Sequence, residues 1–264
     1  MIRVMKHLVI AVSPDSSLKL LGSFADVIVL DVESLAGIGV SYDTVYIRSH
    51  FGQEATLPQN FRGEIDSLAQ QAKDSNPNVR FIDSMDTVDA IVAFEDKWLQ
   101  YTYFGEFMPR TEIYHNGLDI SNFTRPVYKN RLSSQGTGVT WDRERVIGST
   151  GDWIVQESLD IREELRIYII CGEVYPICAV KQSMTEGNKA EGINSRPLTQ
   201  EEITFSLRLM QQAPGLDIVG IDVARSLDGE LSLMEVNRSP GFAKFYQLTG
   251  VNLADTLYER LGTV

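Results

Sequence analysis

Two acids and an amide near the C-terminal end of this 264-residue chain are spaced as facing ligands for a hard cation. Residues 218–241 read IVGIDVARSLDGELSLMEVNRSPG, and Asp228-Gly229 between two apolar runs signals a two-residue hairpin turn. Such a turn sets Asp222 opposite Glu235 and Gly220 opposite Asn237, and alternation along the strand puts Asn237 beside Glu235. Opposed residues have Cβ atoms roughly 4.5–5.5 Å apart, where like charges repel. Val219, Ile221, Val223 and Val236 make one face of this hairpin apolar, and Ala224, Leu231 and Leu233 the other. Two carboxylates meeting in such surroundings take up a proton or require a cation. The all-oxygen set of Asp222, Glu235 and Asn237 suits Mg²⁺ that keeps positions open for phosphate oxygens. The plainer alternative is a solvated sheet end, where the acids pair with Arg225 or Arg238.

A second group of residues could handle phosphate. Ser133-Ser134-Gln135-Gly136-Thr137-Gly138 follows a strand ending in Lys129, and such a loop offers N–H groups and hydroxyls to phosphate oxygens beside a point charge. Ser/Gly-rich hairpin tips are common, and the Walker pattern is absent. A third group lies around Gly172-Glu173, read as another hairpin turn. Leu165, Ile167, Ile169, Cys171, Val174, Cys178 and Val180 fall on its core face; Glu164, Arg166, Tyr168, Tyr175 and Lys181 fall on the other. Glu164 then faces Lys181 with Arg166 adjacent, either as an exposed ion pair of small energetic weight or as a clamp for charge on a transferred phosphoryl group. In this register Cys171 and Cys178 share a face but sit about four residues, roughly 13 Å, apart along the strands. A disulfide cannot span that distance, and reduced core cysteines of a cytoplasmic protein are the simple reading.

These motifs carry a resemblance. The stretch GIDVARSLDGELSLMEVNRSPG resembles the C-terminal signature of the ATP-grasp superfamily, and LTGVNLADTLYERL resembles the end of its RimK-like branch, which includes the ribosomal-protein glutamyl ligases. The resemblance spans roughly residues 80–262 and, more loosely, the N-terminal part. It implies a mixed α/β and α+β architecture, the ATP-grasp fold, in which two α+β subdomains clasp ATP. A small Rossmann-like pre-ATP-grasp domain precedes them. The expected units are 1–85, 86–150 with the glycine loop, and 151–264 with the metal site.

Residue by residue, VYKNRLSSQGTGV is similar to the family's strand lysine and flexible glycine loop, which implies that Lys129, Ser134, Gly136 and Gly138 hold the triphosphate. Asp96-Lys97 matches the first phosphate-binding lysine; without the family, Lys97 is a solvated helix residue. Gln156-Glu157-Ser158-Leu159 resembles the hinge strand that reads adenine, with Glu157 and Leu159 acting through main-chain atoms and Gln156 in the same contact strand. Glu163 or Glu164 is the candidate for the ribose hydroxyls, with Glu164 preferred. Glu-Leu-Arg resembles the family's Asp-Leu-Arg, which makes Arg166 the first catalytic candidate and Lys181 the second. One departure is visible: the family's Arg-Ser-Asn motif is replaced by the shorter Gly187–Pro197 stretch, where Asn194 and Arg196 are the available substitutes.

The elements that must position these residues are legible from periodicity. Apolar runs at His7–Val12, Val27–Val32, Thr44–Ile47 and Val79–Ile82, with looser or helical segments between, predict a small parallel sheet. A helix is predicted from Asp86 to about Phe104, a strand over Arg125–Lys129, another over Trp153–Leu159, and a hairpin of Leu165–Cys171 with Val174–Lys181. Gln182–Pro197, polar with two glycines, reads as a loop. Thr199 and Glu202 form a capping box for a helix to about Gln212, with Ile203, Leu207 and Met210 as its buried stripe. A last helix covers Leu253–Leu261.

Composition narrows the classes. Hydrophobic content of 43% and charged content of 23% are ordinary for a globular protein, and the net charge of −12 lacks the basic footprint of a nucleic-acid surface. No apolar run approaches the roughly 18 residues that span a bilayer, and MIRVMKHLVIAV reads as a first buried strand rather than a signal sequence. The segment Ser13-Pro14-Asp15-Ser16-Ser17 after that strand is not a GxGxxG, so a dinucleotide site is unsupported. GxSxG is absent, and His7, His50 and His115 have no evident partners. A zinc site does not fit two cysteines on a core face.

Together these point to an ATP-dependent carboxylate–amine ligase working through an acylphosphate. ATP and Mg²⁺ are the expected cofactors, with Mn²⁺ able to substitute, and an amino acid, peptide or protein tail is the expected partner. No nucleic acid or membrane is expected, and relatives that assemble leave a homo-oligomer open. Arg238 and Ser239, just past the metal strand, are placed where an acceptor could sit. The rival readings are an ATP-binding module without ligase activity and a phosphotransferase on the same nucleotide site.

Overall fold

A computed structural model describes residues 5–12, 14–30, 40–48, 59–133, 138–149, 152–185, 189–213 and 215–262, and the side chains of these except 59–60 and 182–191. The first region is a four-stranded parallel sheet. Strands β1 (His7–Ala11), β2 (Asp26–Val29), β3 (Thr44–Arg48) and β4 (Arg80–Phe81), with helices α1 (Leu18–Leu21) and α2 (Gln59–Ser75), give the order β2-β1-β3-β4. The central strands β1 and β3 are buried along their whole length, which is why they read as unbroken apolar runs rather than alternating ones. Their first rung is polar and satisfied internally: His7 Nδ1 lies 2.8 Å from Thr44 Oγ1. Leu8, Ile10, Val45 and Ile47 face Ile65, Leu68, Ala69 and Ala72 of α2.

A polar break divides the predicted 86–104 helix into α3 (Val88–Glu95) and α4 (Lys97–Phe104). Asp96 is extended (φ −67°, ψ 116°) and serves as C-cap of α3 and N-cap of α4, accepting hydrogen bonds from Trp98 N–H at 2.8 Å and Leu99 N–H at 3.3 Å. An aspartate competes with the helix for its own backbone donors and so starts helices better than it continues them.

A small antiparallel sheet follows, with β5 (Thr111–Ile113), β6 (Pro126–Asn130), β7 (Val139–Thr140) and β8 (Trp153–Glu157) in the order β5-β8-β6-β7. It runs past position 150, since β8 is one of its inner strands. Tyr114, Phe123, Tyr128, Val146 and Val155 form its own core on one face; Val127, Lys129, Ile154 and Gln156 alternate onto the other.

The large antiparallel sheet contains β9 (Ile161–Ile170), β10 (Glu173–Val174), β11 (Ile177–Thr185), β12 (Lys189–Pro197), β13 (Ile218–Ser226) and β14 (Leu231–Asn237), in the order β12-β11-β9-β13-β14 with β10 paired to β9. The predicted 182–197 loop is therefore mostly strand: β11 continues to Thr185 and pairs with β12. Its glycines and polar residues suit an edge strand, whose outer side meets water, and conceal the apolar alternation that marks an inner one. Helix α5 (Gln200–Gln211) has the expected capping box. Its buried residues are Glu202, Ser206 and Leu209, whereas Leu207 is exposed. The helix is turned by Glu202, which is fully buried because Arg196 and Arg225 both bond to it.

Helices α6 (Phe242–Thr249), missed in the sequence, and α7 (Leu253–Leu261) end the chain. Phe242, Phe245, Leu253 and Leu257 pack with Val9, Ala11 and Tyr46, covering the face of the parallel sheet that α2 leaves open. The other apolar face of that sheet merges into one cluster with Leu165, Ile167, Val219, Ile221, Val223 and Leu233. The first and last regions thus share two cores, and the small sheet has a third of its own. Among the described residues no helix is long and apolar enough to cross a membrane.

Candidate active site

Register delivers the site. Reading across β11, β9, β13 and β14, one rung is Ala179–Arg166–Asp222–Glu235, with Lys181–Glu164–Ala224 two residues away on one side and Tyr168–Gly220–Asn237 on the other. These rungs share a face, and the rungs between them point into the core.

The Asp222–Glu235 pairing occurs as predicted, by a different route. The turn closes between Ser226 and Glu230, with Ser226 N–H bonded to the Glu230 carbonyl at 3.0 Å and Gly229 at φ +98°, so three residues form the loop. Val223 then pairs with Leu233, not Met234, and a bulge between Asp222 and Val223 takes up the extra residue. A bulge reverses the alternation on its strand. Leu231, Leu233 and Val236 consequently all reach the core, and the predicted second apolar face, with Leu231 and Leu233, does not exist. A similar compensation occurs at the other hairpin. Its turn is Cys171-Gly172, both at positive φ (49° and 80°), and Glu173 pairs with Ile170. The interruption between β10 and β11 restores the Lys181–Glu164 pairing. Cys171 is a half-buried turn residue, not a core one; Cys178 is buried, and both are free.

Each acid has its own cation. Arg166 Nε donates to Asp222 Oδ1 at 2.6 Å and its Nη2 donates to Oδ2, a fork that pushes the guanidinium pKa above its ordinary value despite burial. Asn237 Nδ2 donates to Asp222 Oδ2 at 3.3 Å. Glu235 Oε1 lies 3.7 Å from Lys97 Nζ. Neither alternative partner is used. Arg225 binds Glu163, Glu201 and Glu202 beneath α5. Arg238, placed by the sequence near an acceptor, is fully buried: its Nη2 donates to the Ile47 carbonyl and its Nε lies 3.8 Å from Asp83. Ser239 is buried with it. The two cannot meet an acceptor without opening a core.

The lysines come from other elements. Lys97 opens α4; its N–H donates to the Arg131 carbonyl at 3.0 Å and its Nζ to the Ser133 carbonyl. Lys129 Nζ donates to Gln156 Oε1 at 2.6 Å, and Gln156 Nε2 donates to Thr111 Oγ1 at 2.8 Å. Burial pulls the Lys129 pKa down to about 8, with Glu235 and Glu164 opposing and Lys97 adding to the fall. Lys129, Lys97, Glu235 and Glu164 therefore lie in one electrostatic field. Gly138 closes the base of the glycine loop: Asn130 N–H donates to its carbonyl at 2.8 Å, its φ is +67°, and a Cβ there would sit 2.8 Å from Ser133 Cβ. Ser134 and Gly136 lie outside the described residues.

Lys181 Nζ donates to Glu164. Glu163 points to the opposite face, where Arg196 bonds it at 2.9 Å, so Glu164 is the acid on the site face. Arg196 also binds buried Glu202 at 2.7 Å, and Asn194 shares its parity on β12, opposite Val180, so both fall on the face away from Glu164. Glu157 accepts N–H bonds from Thr124 at 2.8 Å and Arg125 at 2.7 Å through its side chain. Its own N–H goes to the Arg110 carbonyl at 2.9 Å. Leu159 lies in the connection between β8 and β9, where the chain passes from the small sheet to the large one.

By donor type the set suits Mg²⁺: two carboxylates face each other across the β13–β14 rung with the Asn237 amide on the same face. Among the described residues no group of three or more His, Cys, Asp or Glu side chains that could hold a metal ion forms. A hard ion held by so few protein ligands leaves positions for phosphate oxygens.

Two α+β layers facing one another across lysines and paired acids define an ATP-grasp architecture. Solved structures share it over nearly the whole chain. The ATP-grasp ligase PsnB complexed with minimal precursor aligns with TM-score 0.69 at 15% identity, covering 97% of this chain and 99% of that one. D-cycloserine synthetase DcsG aligns at 0.67, 14%, 97% and 99%, and macrocyclase MdnC from Microcystis aeruginosa MRC, bound with precursor peptide MdnA, at 0.64, 18%, 97% and 99%. These likenesses show the fold. Residues 115–261 match the RimK-like ATP-grasp domain, and the chain belongs to that family. It is 29% identical over 177 residues to a probable alpha-L-glutamate ligase of Trichodesmium erythraeum, with 58% of each chain covered. It is 31% identical over 161 residues to probable alpha-L-glutamate ligase 2 of Shewanella denitrificans, with 54% of this chain and 52% of the relative covered. The chain thus spans little more than half the length of these curated relatives.

Proposed function

We propose that this protein is an ATP-dependent carboxylate–amine ligase that forms an amide through an acylphosphate and releases ADP and phosphate. The observation that carries the reading is the convergence of Arg166, Asp222, Glu235 and Lys97 on one face of the large sheet, with Lys129 of the small sheet in the same electrostatic field. Mg²⁺ held by Asp222, Glu235 and Asn237 would neutralise the β- and γ-phosphates. Lys97 and Lys129 bind phosphate oxygens, and the loop closed by Gly138 excludes water. The main chain at Glu157 and Leu159 reads adenine beside Gln156, and Glu164 takes the ribose. Arg166 stabilises charge on the acylphosphate, with Lys181 second to it.

An amino acid, peptide or protein tail is the substrate class. The support is the naming of two relatives as probable alpha-L-glutamate ligases and the precursor peptides bound by PsnB and MdnC. We place the reaction in the cytoplasm, which free cysteines favour. We take 1–85, 86–150 and 151–264 as the functional units, with β8 reaching from the third into the second.

The test is a panel of amino acids and short peptides with ATP and Mg²⁺, scored for ADP release and new amide mass. ADP release that depends on both an acid and an amine, and that Asp222→Asn abolishes, supports the ligase. ADP release needing neither would replace it with a nucleotidase or phosphotransferase.

A further inference from the structure

Gln100 lies on α4, one turn after Lys97, and is 2% exposed. It carries three hydrogen bonds that phosphate or metal chemistry does not use. Its Nε2 donates to the Val236 carbonyl at 2.8 Å and to the Phe94 carbonyl at 3.0 Å, and its Oε1 accepts the Val236 N–H at 3.0 Å. Val236 is the residue between Glu235 and Asn237, on the edge strand of the large sheet. An edge strand presents outward N–H and C=O groups at every second residue. Gln100 answers both such groups of Val236 with one planar amide, as a neighbouring strand would. Each of the two residues flanking that anchor is a candidate metal ligand.

The same helix is also held at its N-terminus. Asp96, its N-cap, accepts from Arg131 Nη2 at 2.5 Å, and Lys97 N–H donates to the Arg131 carbonyl at 3.0 Å. Arg131 stands two residues beyond Lys129. Within the five residues from Asp96 to Gln100, α4 and its cap are fastened to the residue just past the lysine strand of the small sheet and to the acid strand of the large one. Between the two fastenings, Lys97 reaches Glu235 at 3.7 Å.

We propose that Gln100 is a positioning residue: by bonding both main-chain groups of Val236 it holds the Glu235/Asn237 strand at a set distance from Lys97, so that metal and phosphate are bound together. This rests on the nucleotide reading above. Displacing the strand or rotating Glu235 and Asn237 spoils the joint site more than either half of it, because a bridging ion needs its protein ligands and phosphate oxygens placed at once.

The experiment measures ADP affinity by calorimetry with Mg²⁺ and with EDTA, for wild type, Gln100→Met and Gln100→Glu, well below each unfolding midpoint. Gln100→Met keeps the volume and removes every hydrogen bond; Gln100→Glu keeps the acceptor for Val236 N–H and removes the donor. In wild type Mg²⁺ is expected to strengthen ADP binding. Gln100→Met is expected to lose at least ten-fold of that strengthening while binding in EDTA changes less than three-fold, and Gln100→Glu to lose an intermediate amount. A role confined to stability would lower the midpoint and leave the Mg²⁺ strengthening at the wild-type value, which overturns the proposal. If Gln100→Met does not fold, Gln100→Glu decides by the same criterion. Wild type that binds no ADP under either condition would instead sink the nucleotide reading itself.

Discussion

Raising pH should weaken nucleotide binding through Lys129 in a way that can be worked out from its surroundings. Burial lowers its pKa to about 8 from 10.5. If the cation is the form that holds phosphate, its population falls from about three-quarters at pH 7.5 to about a tenth at pH 9, so affinity drops about eight-fold. The assay is ADP binding by calorimetry in EDTA, which keeps the acids free of metal. Lys129→Met should bind weakly with a flat profile. Gln156→Glu places a carboxylate where Gln156 Oε1 now accepts from Lys129 Nζ at 2.6 Å; the amine pKa rises and the fall moves to higher pH. Stability changes in the opposite sense. The folded pKa lies below the unfolded one, so the charged amine is a burden at neutral pH that is relieved between about 8 and 10.5. Wild type should therefore gain on Lys129→Met across that window. A wild-type affinity that stays level from pH 7.5 to 9, or a Lys129→Met profile with the same slope, would refute the reasoning.

Two further substitutions probe the scaffold. A Cβ on Gly220 would lie 2.8 Å from Pro240 Cβ and 3.7 Å from Arg166 Cδ, so Gly220→Ala should cost about 1–3 kcal/mol in urea unfolding; a change below about 0.5 kcal/mol would show that the Pro240 segment yields freely. Glu202, although burial pushes its pKa up, is held down to about 2 by bonds from Arg196 and Arg225, and Glu202→Gln should lose about 1.5–3 kcal/mol at pH 7. Its folded pKa lies below the ordinary 4.5, so that advantage is lost as pH falls from about 4.5 to 2; a gap between the two proteins that stayed constant down to pH 2 would contradict the assignment.

Much of the site was legible in the chain because it is local. Asp222, Glu235 and Asn237 lie within one hairpin, and Glu164, Arg166 and Lys181 within another, so alternation alone predicts which side chains share a face. Both registers survived an error in the turn, since an irregularity on one strand restored the pairing each time. The apolar pattern decides which face is buried, and the chain bends locally to satisfy it. The four strands of the first sheet and the Thr199/Glu202 cap are local signals of the same kind.

Tertiary structure decided what no window of sequence contains. Arg238 looks like a free cation beside the metal strand, yet the parallel sheet encloses it against Asp83 and the Ile47 carbonyl, 155 and 191 positions away in the chain. Glu163 and Glu164 are adjacent and chemically alike; β12 and α5, by bringing Arg196 and Glu202 to one side, tied Glu163 into the scaffold and left Glu164 on the face of Arg166 and Asp222. Lys97 and Gln100 acquire their meaning from strands more than 130 residues onward. A hydrogen bond or ion pair depends on distance in space, and sequence reports distance along the chain, so the site face is written in the residues while its walls are set by the fold.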